Sequence, residues 1–349
     1  MHSVEVVAER RYAVEVGILW REKLEEILAI HQRAIIFAPQ FVVERFSLEG
    51  LVSDRVLLHI LPEGENQKTI HEWERALDRC AAHNLTRSDA VIAIGGGATT
   101  DLTGFVAASW LRGIAWYAIP TTLAAMVDAA IGGKTGLNTV HGKNLVGAFY
   151  SPAGVYIDIS FLDSLSDRDF AAGLAEVIKT GFIGEAKILE LLVATRDLNE
   201  VRPLAEELIA LSAGFKARVV SGDFREGRLR EILNYGHTLG HAIEKAEKFQ
   251  LRHGEAVAIG LVFAGELSSV AVGLDAEAVA LHRSLLSRFE LPTQYPASAL
   301  PMLIETMRGD KKARGDQMRF IGLESIGTPT WLEAITVDQI SQAYGRISS

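Results

Sequence analysis

Short, largely apolar segments alternate with helical stretches through the first half of this chain of 349 residues. The apolar segments are residues 33–38, 56–61, 90–94 and 116–119. Helical patterns lie between them at residues 69–84 and 97–110. A strand that is apolar on both faces must be covered on both faces, as happens in a parallel sheet flanked by helices. The first half is therefore predicted to form an α/β domain built on a parallel sheet.

The pattern changes after about residue 160, where helical periodicity dominates. The predicted helices are residues 167–181, 187–195, 203–221, 229–249, 253–272 and 276–288. A chain of this length is also expected to form two domains rather than one core. We therefore predict an α/β domain over residues 1–160 and a mostly α-helical domain over residues 161–349, with the active site in the cleft between them.

Charge and composition narrow the choice of partners and compartment. The net charge of −9 argues against nucleic acid or an anionic membrane as a binding partner, although a locally basic pocket remains compatible with it. The single cysteine, Cys80, cannot form an internal disulfide, which suits a reducing cytosol. The N-terminus lacks the layout of a signal peptide, and the apolar residues 256–274 are interrupted by Glu266 and are interpreted as a buried helix. A cytoplasmic protein is expected.

Three consecutive glycines, Gly95, Gly96 and Gly97, follow the strand at residues 90–94 and begin a helix. Glycines allow the backbone to approach a phosphate closely, and the N-terminus of the following helix attracts negative charge. The spacing differs from the common dinucleotide fingerprint, and a glycine turn between a strand and a helix is often only a turn. This segment leaves both interpretations open.

The segment at residues 119–144 concentrates polar side chains among small apolar ones. Its chemically active side chains are Thr121, Thr122, Asp128, Lys134, Asn138, Lys143 and Asn144. A solvated loop would be the simple interpretation, but its lysines would then have polar neighbours. Here the neighbours are mostly Ala, Val, Ile and Gly, and lysines in such surroundings indicate a partly enclosed site for an anion.

The second half carries a carboxylate, a lysine and three histidines that can form a site. Glu176 and Lys179 lie on one helical face, where a surface ion pair is the alternative. His237 and His241 are four residues apart, and His253 follows. The glutamate that a metalloprotease requires next to the first histidine is absent. A metal site is favoured over simple packing, but the spacing does not decide which histidines are ligands.

Taken together and in this order, these segments resemble the 3-dehydroquinate synthase family, and the resemblance covers nearly the whole chain. The matching segments are residues 62–68, 95–101, 111–113, 120–122, 128–134, 143–149, 176–179, 233–244, 253–260 and 310–312. No single segment is specific, whereas their joint order is. The resemblance implies a Rossmann-like α/β domain followed by a mostly helical one.

The resemblance also implies a metal site formed by Glu176, His237 and His253, which usually holds Zn²⁺ and otherwise Co²⁺. His241 would then lie on the substrate side of the site. Three protein ligands leave coordination positions open for substrate oxygens, as a catalytic metal site requires.

An NAD site and a substrate site are implied in the same way. The implied NAD-binding residues are Glu63, Gly64, Glu65, Asn66, Gln67, Lys68, Gly97, Ala98, Thr99, Thr100, Asp101, Thr121, Thr122, Lys134, Lys143, Phe161, Leu162, Asp163 and Ser164. The implied substrate-binding and catalytic residues are Asp128, Lys134, Asn144, Lys179, Lys216, Arg230, Asn234, His241, and Lys311 or Lys312. Arg112 matches an arginine that reaches across a dimer interface in the family, so a homodimer is expected.

Two positions depart from the family pattern. Family members often carry an acidic residue near the end of the second strand, where it can hold the adenosine ribose. Residues 37–40 contain none, so the ribose must be anchored differently. Ser164 stands where threonine is commoner, and the hydroxyl is kept.

The implied reaction converts 3-deoxy-D-arabino-heptulosonate 7-phosphate to 3-dehydroquinate and phosphate, a step of the shikimate pathway to aromatic amino acids. It combines transient oxidation by NAD, phosphate elimination, reduction and an intramolecular aldol closure. Three alternatives remain: a sibling cyclase acting on sedoheptulose 7-phosphate, a metal-dependent alcohol or glycerol dehydrogenase, and a non-catalytic NAD-binding protein. Lys216 and Arg230 suit a substrate carboxylate. Together with Asn234 and His241, they favour the first reaction over the sibling's.

Overall fold

The structure is a computed structural model that describes residues 1–248, 250–311 and 318–349, with the side chains of residues 309–311 left out. It divides into two units, each with its own core. The first unit comprises Met1–Leu165 and Lys216–Arg225, and the second comprises Ser166–Phe215 and Glu226–Ser349.

The first unit is an α/β fold. Its strands are β1 (His2–Val7), β2 (Arg11–Val16), β3 (Ala34–Pro39), β4 (Val56–Leu61), β5 (Ala90–Gly95), β6 (Ala115–Pro120), β7 (Lys134–Thr139), β8 (Gly142–Phe149) and β9 (Gly154–Ile157). Its helices are α1 (Trp20–Ile30), α2 (Gln40–Arg45), α3 (Ile70–Ala82) and α4 (Gly97–Ser109).

Seven of these strands form one sheet, in the order β1-β2-β9-β6-β5-β3-β4. The β1–β2 pair is antiparallel, and the other neighbours run parallel. Every residue of β3 and β5 is buried, because helices cover both faces of the sheet there. The predicted parallel sheet is confirmed.

The chain leaves β3 and β5 in opposite directions along the sheet. From β3 it continues to β4 on one side, and from β5 it continues to β6 on the other. Such a switch of direction opens a crevice at the carboxyl ends of the two strands, where ligands of open α/β sheets bind. Gly95 at the end of β5 pairs with Pro120 at the end of β6, so the triple glycine and Thr121 lie at this edge.

The second unit is mostly helical, as predicted. Its helices are α5 (Asp167–Ile183), α6 (Ala186–Val193), α7 (Leu198–Val201), α8 (Ala205–Gly222, whose residues from Lys216 onwards belong to the first unit), α9 (His237–Ala246), α10 (His253–Val272), α11 (Ala276–Arg288), α12 (Leu300–Lys311) and α13 (Val337–Gly345). A two-stranded antiparallel sheet of β10 (Phe320–Ser325) and β11 (Thr328–Leu332) completes it.

Helix α10 is the core of the second unit. Most of its residues are buried, as expected for a helix that is apolar on all sides. Among the described residues it is the one helix long and apolar enough to cross a membrane, and 72% of its apolar stretch is buried inside the protein. This agrees with the buried helix predicted at residues 256–274.

The prediction of a single helix over residues 229–249 is wrong. A short 3₁₀ helix covers Leu229–Asn234, and α9 begins only at His237. Gly236 separates them with a left-handed φ of 78°, a conformation that glycine adopts without steric cost. A β-carbon on Gly236 would also lie 2.9 Å from the backbone nitrogen of Leu261. The break therefore allows α9 to start in close contact with α10.

Candidate active site

Glu176 lies at the centre of a charged cluster inside the second unit. It belongs to α5 and is 1% exposed. Lys179 lies three residues further along the helix, and its Nζ is 2.5 Å from Glu176 Oε2. The pair predicted from the spacing is therefore formed, but it is buried and is not a surface ion pair.

His237 faces Glu176 from the first residue of α9. Its Nε2 is 3.3 Å from Glu176 Oε1, and its Nδ1 is 3.1 Å from the backbone oxygen of Tyr235. A carbonyl oxygen only accepts hydrogen bonds, so Nδ1 carries the proton. Nε2 is then the nitrogen that faces Glu176 and is available to a metal ion.

His253 approaches the same carboxylate from the first residue of α10. Its Nε2 is 3.1 Å from Glu176 Oε1. The start of α10 lies very close to α5, since a β-carbon on Gly254 would lie 1.7 Å from the backbone oxygen of Ala172. Arg168 also forms two hydrogen bonds to Glu255, which ties the same two helix ends together.

The three side chains Glu176, His237 and His253 can hold a metal ion together. Each offers one ligand atom, and these atoms lie within 4.8 Å of one another. Two imidazole nitrogens and one carboxylate oxygen suit Zn²⁺ or Co²⁺, and three protein ligands leave the remaining positions open. The same geometric criterion is met by a second group, His241, Glu244 and His253.

The electrostatics of the cluster favour a bound cation. Burial opposes the charged form of Glu176, but Lys179 and the two imidazoles outweigh it and hold the pKa of this carboxyl well below its usual value. Burial likewise opposes the charged form of His253, but hydrogen bonds to Glu176 and Glu244 raise its pKa to about 10. A site that draws a proton this strongly also attracts a metal ion, which would displace that proton.

Further predicted residues of the second unit lie close to His237 in sequence. Arg230 is 1% exposed, and Asn234 donates a hydrogen bond of 3.0 Å to Glu226. His241 is exposed, and its ring lies 5.3 Å from that of His237. The structure thus places these predicted substrate residues on the same segment that carries His237. The side chain of Lys311 and the whole of Lys312 lie outside the described residues.

The first unit gathers a second polar cluster at the carboxyl edge of its sheet. Lys68 follows β4 and is 2% exposed. Its Nζ is 2.6 Å from Asp101 Oδ2 and also donates to Asn144 Oδ1. Its backbone oxygen accepts from the backbone nitrogen of Asn138 at 2.8 Å. Three of the predicted segments therefore meet around one buried ammonium group.

The β7–β8 hairpin is connected to this edge by further contacts. Asn138 donates from Nδ2 to Glu65 Oε2 at 2.6 Å, and Lys143 Nζ lies 3.9 Å from Glu65 Oε1. Lys134 begins β7 and is exposed. Asp128 Oδ1 lies 2.6 Å from Lys216 Nζ within the same unit, so two residues that are 88 positions apart in sequence form one ion pair.

The glycine-rich turn can accommodate a nucleotide. A β-carbon on Gly97 would lie 2.9 Å from the β-carbon of Ala129, and one on Gly96 would lie 3.3 Å from Thr122. Side chains are thus excluded at the start of α4, where backbone N–H groups can bind phosphate. Among the described residues, Gln67 Oε1 and Thr99 Oγ1 are buried without a hydrogen-bond partner. Both lie on segments predicted to bind NAD, and such buried polar atoms are available to hydrogen-bond a ligand.

Two predicted elements lie apart from these clusters. The side chains of Phe161 and Leu162 are buried in the core, so only their backbone can contact a ligand, while Ser164 Oγ donates to the backbone oxygen of Phe161. Arg112 is exposed just after α4 and has a left-handed φ of 65°. The 13 residues of α4 span about 20 Å. Arg112 therefore lies at the opposite edge of the sheet from Gly97.

Sequence reasoning assigned no role to Glu226, to Glu244 or to the backbone oxygen of Tyr235. Glu244 lies seven residues after His237 on α9, and this spacing places both on one helical face. That signal could have identified it. Glu226 lies in a loop without periodicity, and a backbone oxygen leaves no signal in the sequence.

Comparisons with known proteins agree on one family. Residues 58–172 match the family model described as 3-dehydroquinate synthase N-terminal, and residues 173–313 match the one described as 3-dehydroquinate synthase C-terminal. Together these ranges include both clusters.

Individual relatives extend the match over nearly the whole chain. A 3-dehydroquinate synthase from Thermobifida fusca (strain YX) is 50% identical over 350 residues, which cover 99% of this chain and 93% of the relative. One from Streptomyces avermitilis is 44% identical over 345 residues, covering 98% and 94%. The fold resembles that of a 2-deoxy-scyllo-inosose synthase complexed with carbaglucose-6-phosphate, NAD⁺ and Co²⁺, with a TM-score of 0.86, 27% identity, and coverage of 98% of this chain and 99% of that one.

Proposed function

The chain belongs to the 3-dehydroquinate synthase family, and on this basis we propose that it converts 3-deoxy-D-arabino-heptulosonate 7-phosphate to 3-dehydroquinate and phosphate. It is then a phosphorus–oxygen lyase of the shikimate pathway that depends on NAD and a divalent metal. The observation that carries the proposal is the convergence of Glu176, His237 and His253 on one point, with the Lys179 ammonium beside it.

Each cofactor has a set of residues that fits it. Glu176, His237 and His253 hold Zn²⁺ or Co²⁺, which polarises substrate oxygens when bound. The turn at Gly97 and the segments around Lys68 and Thr121 hold NAD, which accepts and returns a hydride when bound. The first unit is accordingly the NAD-binding domain, and the second is the metal- and substrate-binding domain.

The chain's own residues bind and orient the substrate. Asp128 and Lys216 form a pair in which the carboxylate can orient a substrate hydroxyl while the ammonium binds an anion. Arg230 is buried and can bind both oxygens of a substrate carboxylate. Lys134 and Asn144 suit the phosphate group, together with His241. Lys179 stabilises oxyanions that develop next to Glu176.

No dedicated base is required for the proton that is lost in phosphate elimination. The substrate's own phosphate takes this proton, while the cationic side chains hold the phosphate in position. Their contribution is to fix the geometry of the reacting groups, which can account for a large part of a rate acceleration.

Release of phosphate without net NADH formation tests the proposed activity. Purified protein is incubated with the substrate, NAD and Zn²⁺, and phosphate and NADH are measured in the same sample. Phosphate release at constant NADH supports the cyclase reaction. Net NADH would instead indicate a dehydrogenase, and turnover of sedoheptulose 7-phosphate in place of the heptulosonate would indicate a sibling cyclase.

The active form is a homodimer in the cytoplasm, in which Arg112 acts in the site of the partner chain. Its position supports this proposal, because within its own chain it lies about 20 Å from Gly97 along α4. The left-handed backbone at Leu111 and Arg112 presents the side chain to solvent. An exposed cationic side chain at this edge of the sheet is available to an anionic substrate bound by another molecule.

Mixed dimers test the role of Arg112. One chain carries Arg112→Ala and the other His237→Ala, and each variant alone is inactive. If Arg112 acts across the interface, the mixed dimer contains one complete site and recovers about half of the wild-type activity per dimer. If the mixed dimer stays as inactive as its parents, Arg112 acts within its own chain or not at all.

A further inference from the structure

Glu244 is a buried carboxylate next to the metal cluster, where it contacts His253. It belongs to α9 and is 3% exposed. With His237 and His241 it follows the spacing i, i+4, i+7, which places all three on one face of the helix. The same helix thus carries a metal ligand at its start and a carboxylate two turns later.

The carboxylate of Glu244 contacts the side of His253 that faces away from Glu176. Glu244 Oε2 lies 3.3 Å from His253 Nδ1, while His253 Nε2 lies 3.1 Å from Glu176 Oε1. An ionised carboxylate only accepts hydrogen bonds, so Nδ1 must carry the proton. Nε2 is then the nitrogen that is available to a metal ion.

The two histidine ligands are held in different ways. His237 donates from Nδ1 to a neutral group, the backbone oxygen of Tyr235, whereas His253 donates to an anionic one. His237 is well buried, but 40% of the His253 side chain is exposed. Packing alone therefore restrains the ring of His253 less than that of His237.

We propose that Glu244 is a positioning residue of the metal site, which fixes His253 in the Nδ1-protonated form with Nε2 directed at the metal. The proposal rests on the metal site of the proposed function. An anionic acceptor also increases the basicity of the imidazole, and loss of such a partner typically weakens metal binding about 10–100-fold.

Metal affinity, measured by chelator competition with Zn²⁺ and Co²⁺ on the purified full chain, tests this role without relying on activity. Glu244→Ala removes the acceptor and should weaken binding by about 10–100-fold. Glu244→Gln keeps an oxygen that can accept but removes the charge, so a smaller loss is expected. The visible absorption spectrum of the Co²⁺ form should change in Glu244→Ala, because His253 loses its fixed orientation.

Glu266→Gln provides a matched control. Glu266 lies on α10, the helix that also carries His253, and its largely buried carboxylate pairs with Arg346 at 3.0 Å. This variant makes the same chemical change away from the cluster and should bind metal like the wild type. Thermal unfolding of the metal-free proteins shows whether each variant is folded.

Several outcomes separate this inference from the proposed metal site. Wild-type affinity and Co²⁺ spectrum in a folded Glu244→Ala variant would overturn the positioning role and leave the metal site standing. If Glu244→Ala lost no more metal affinity than Glu266→Gln, the positioning role would likewise be overturned and the metal site would stand. Two metal ions per wild-type chain, of which Glu244→Gln loses one, would make Glu244 a ligand. A wild-type protein without any metal affinity would overturn both proposals.

Discussion

The two polar clusters are assembled in opposite ways. In the first unit the groups come from segments that follow the parallel strands β4, β5 and β6 and from the β7–β8 hairpin, at one edge of the sheet. In the second unit, single side chains from α5, α9 and α10 converge inside a helical core. A parallel sheet brings the ends of its strands together by its geometry, whereas helices bring side chains together only where they pack closely.

Close packing in the second unit depends on small residues. A β-carbon on Gly260 would lie 2.0 Å from the backbone oxygen of Gly236, and one on Gly254 would lie 1.7 Å from that of Ala172. These two positions bring α9 and α5 against α10 beside the metal cluster. Each ligand of the metal cluster is unique, so loss of one ligand should abolish metal binding. The polar cluster around Lys68 at the carboxyl edge of the sheet, here called the nucleotide edge, has many contacts. Loss of one of them should only reduce NAD affinity.

Loss of a metal ligand should have the largest effect. Loss of a residue that only supports a ligand weakens metal binding by up to about 100-fold. His237→Ala removes one of the three ligands themselves, so metal affinity should fall by more than that. Turnover should be abolished with it. Metal content after dialysis and phosphate release measure the two effects. Full activity of a metal-free His237→Ala protein would refute the ligand assignment.

A second prediction concerns a buried histidine that contacts Tyr235, next to the metal cluster. His282 is fully buried, with Nε2 2.8 Å from the hydroxyl oxygen of Tyr235, the residue whose backbone oxygen holds His237. Burial lowers the pKa of His282 to about 4. The unfolded imidazole takes up a proton near pH 6.5, so this stabilisation is complete above about pH 6.5 and is lost as the pH falls towards 4.

The shift of His282 corresponds to about 3 kcal/mol of unfolding free energy. Urea unfolding of the metal-free protein between pH 4 and pH 7 measures it, and His282→Gln should reduce the pH dependence by about that amount. An equal pH dependence in both proteins would show that folding leaves the pKa of His282 close to that of the unfolded imidazole, and the predicted stabilisation would be absent.

The smallest effect is expected at the nucleotide edge. Lys68→Met leaves Asp101 without its ammonium partner, and the pKa of Asp101, already raised by burial, should rise further. NAD affinity should fall about tenfold, which corresponds to one charge-assisted hydrogen bond, with metal affinity unchanged. Fluorescence titration with NAD measures the change.

Lys23→Met is the control for this variant. Lys23 forms ion pairs with Glu15 and Glu26 in the same unit, beside β2, which β9 and β6 separate from β5. Its replacement should leave NAD affinity as it is. If Lys68→Met abolished NAD binding altogether, as His237→Ala abolishes metal binding, the contrast between the two clusters would not hold.

Much of the fold and of the site was predictable from the sequence. The apolar segment at residues 90–94 forms a fully buried strand, because a strand that is apolar on both faces is stable only in a sheet that is covered on both faces. The predicted family is confirmed by the family models and by the relatives. The residues assigned to the metal meet at one point, although spacing alone left open which histidines take part.

Other features could not be predicted from periodicity. The helix expected at residues 229–249 is interrupted, because Gly236 must adopt a left-handed conformation to approach α10. Lys216 was expected in the helical half, yet it belongs to the first unit and pairs with Asp128. Both features depend on neighbours far away in sequence, and a local pattern contains no information on them.

The sequence by itself determined the buried strands of the first half, most helices of the second half and the glycine turn, because these depend on local polarity and on residue chemistry. The proposed set of metal ligands followed from the resemblance to the family, since spacing left open which histidines take part. Only the tertiary structure decided which nitrogen of each histidine faces Glu176 and that Glu244 lies behind His253. The physical reason is that a hydrogen bond requires atoms at about 3 Å in a defined direction. Such proximity arises only when separate helices pack together.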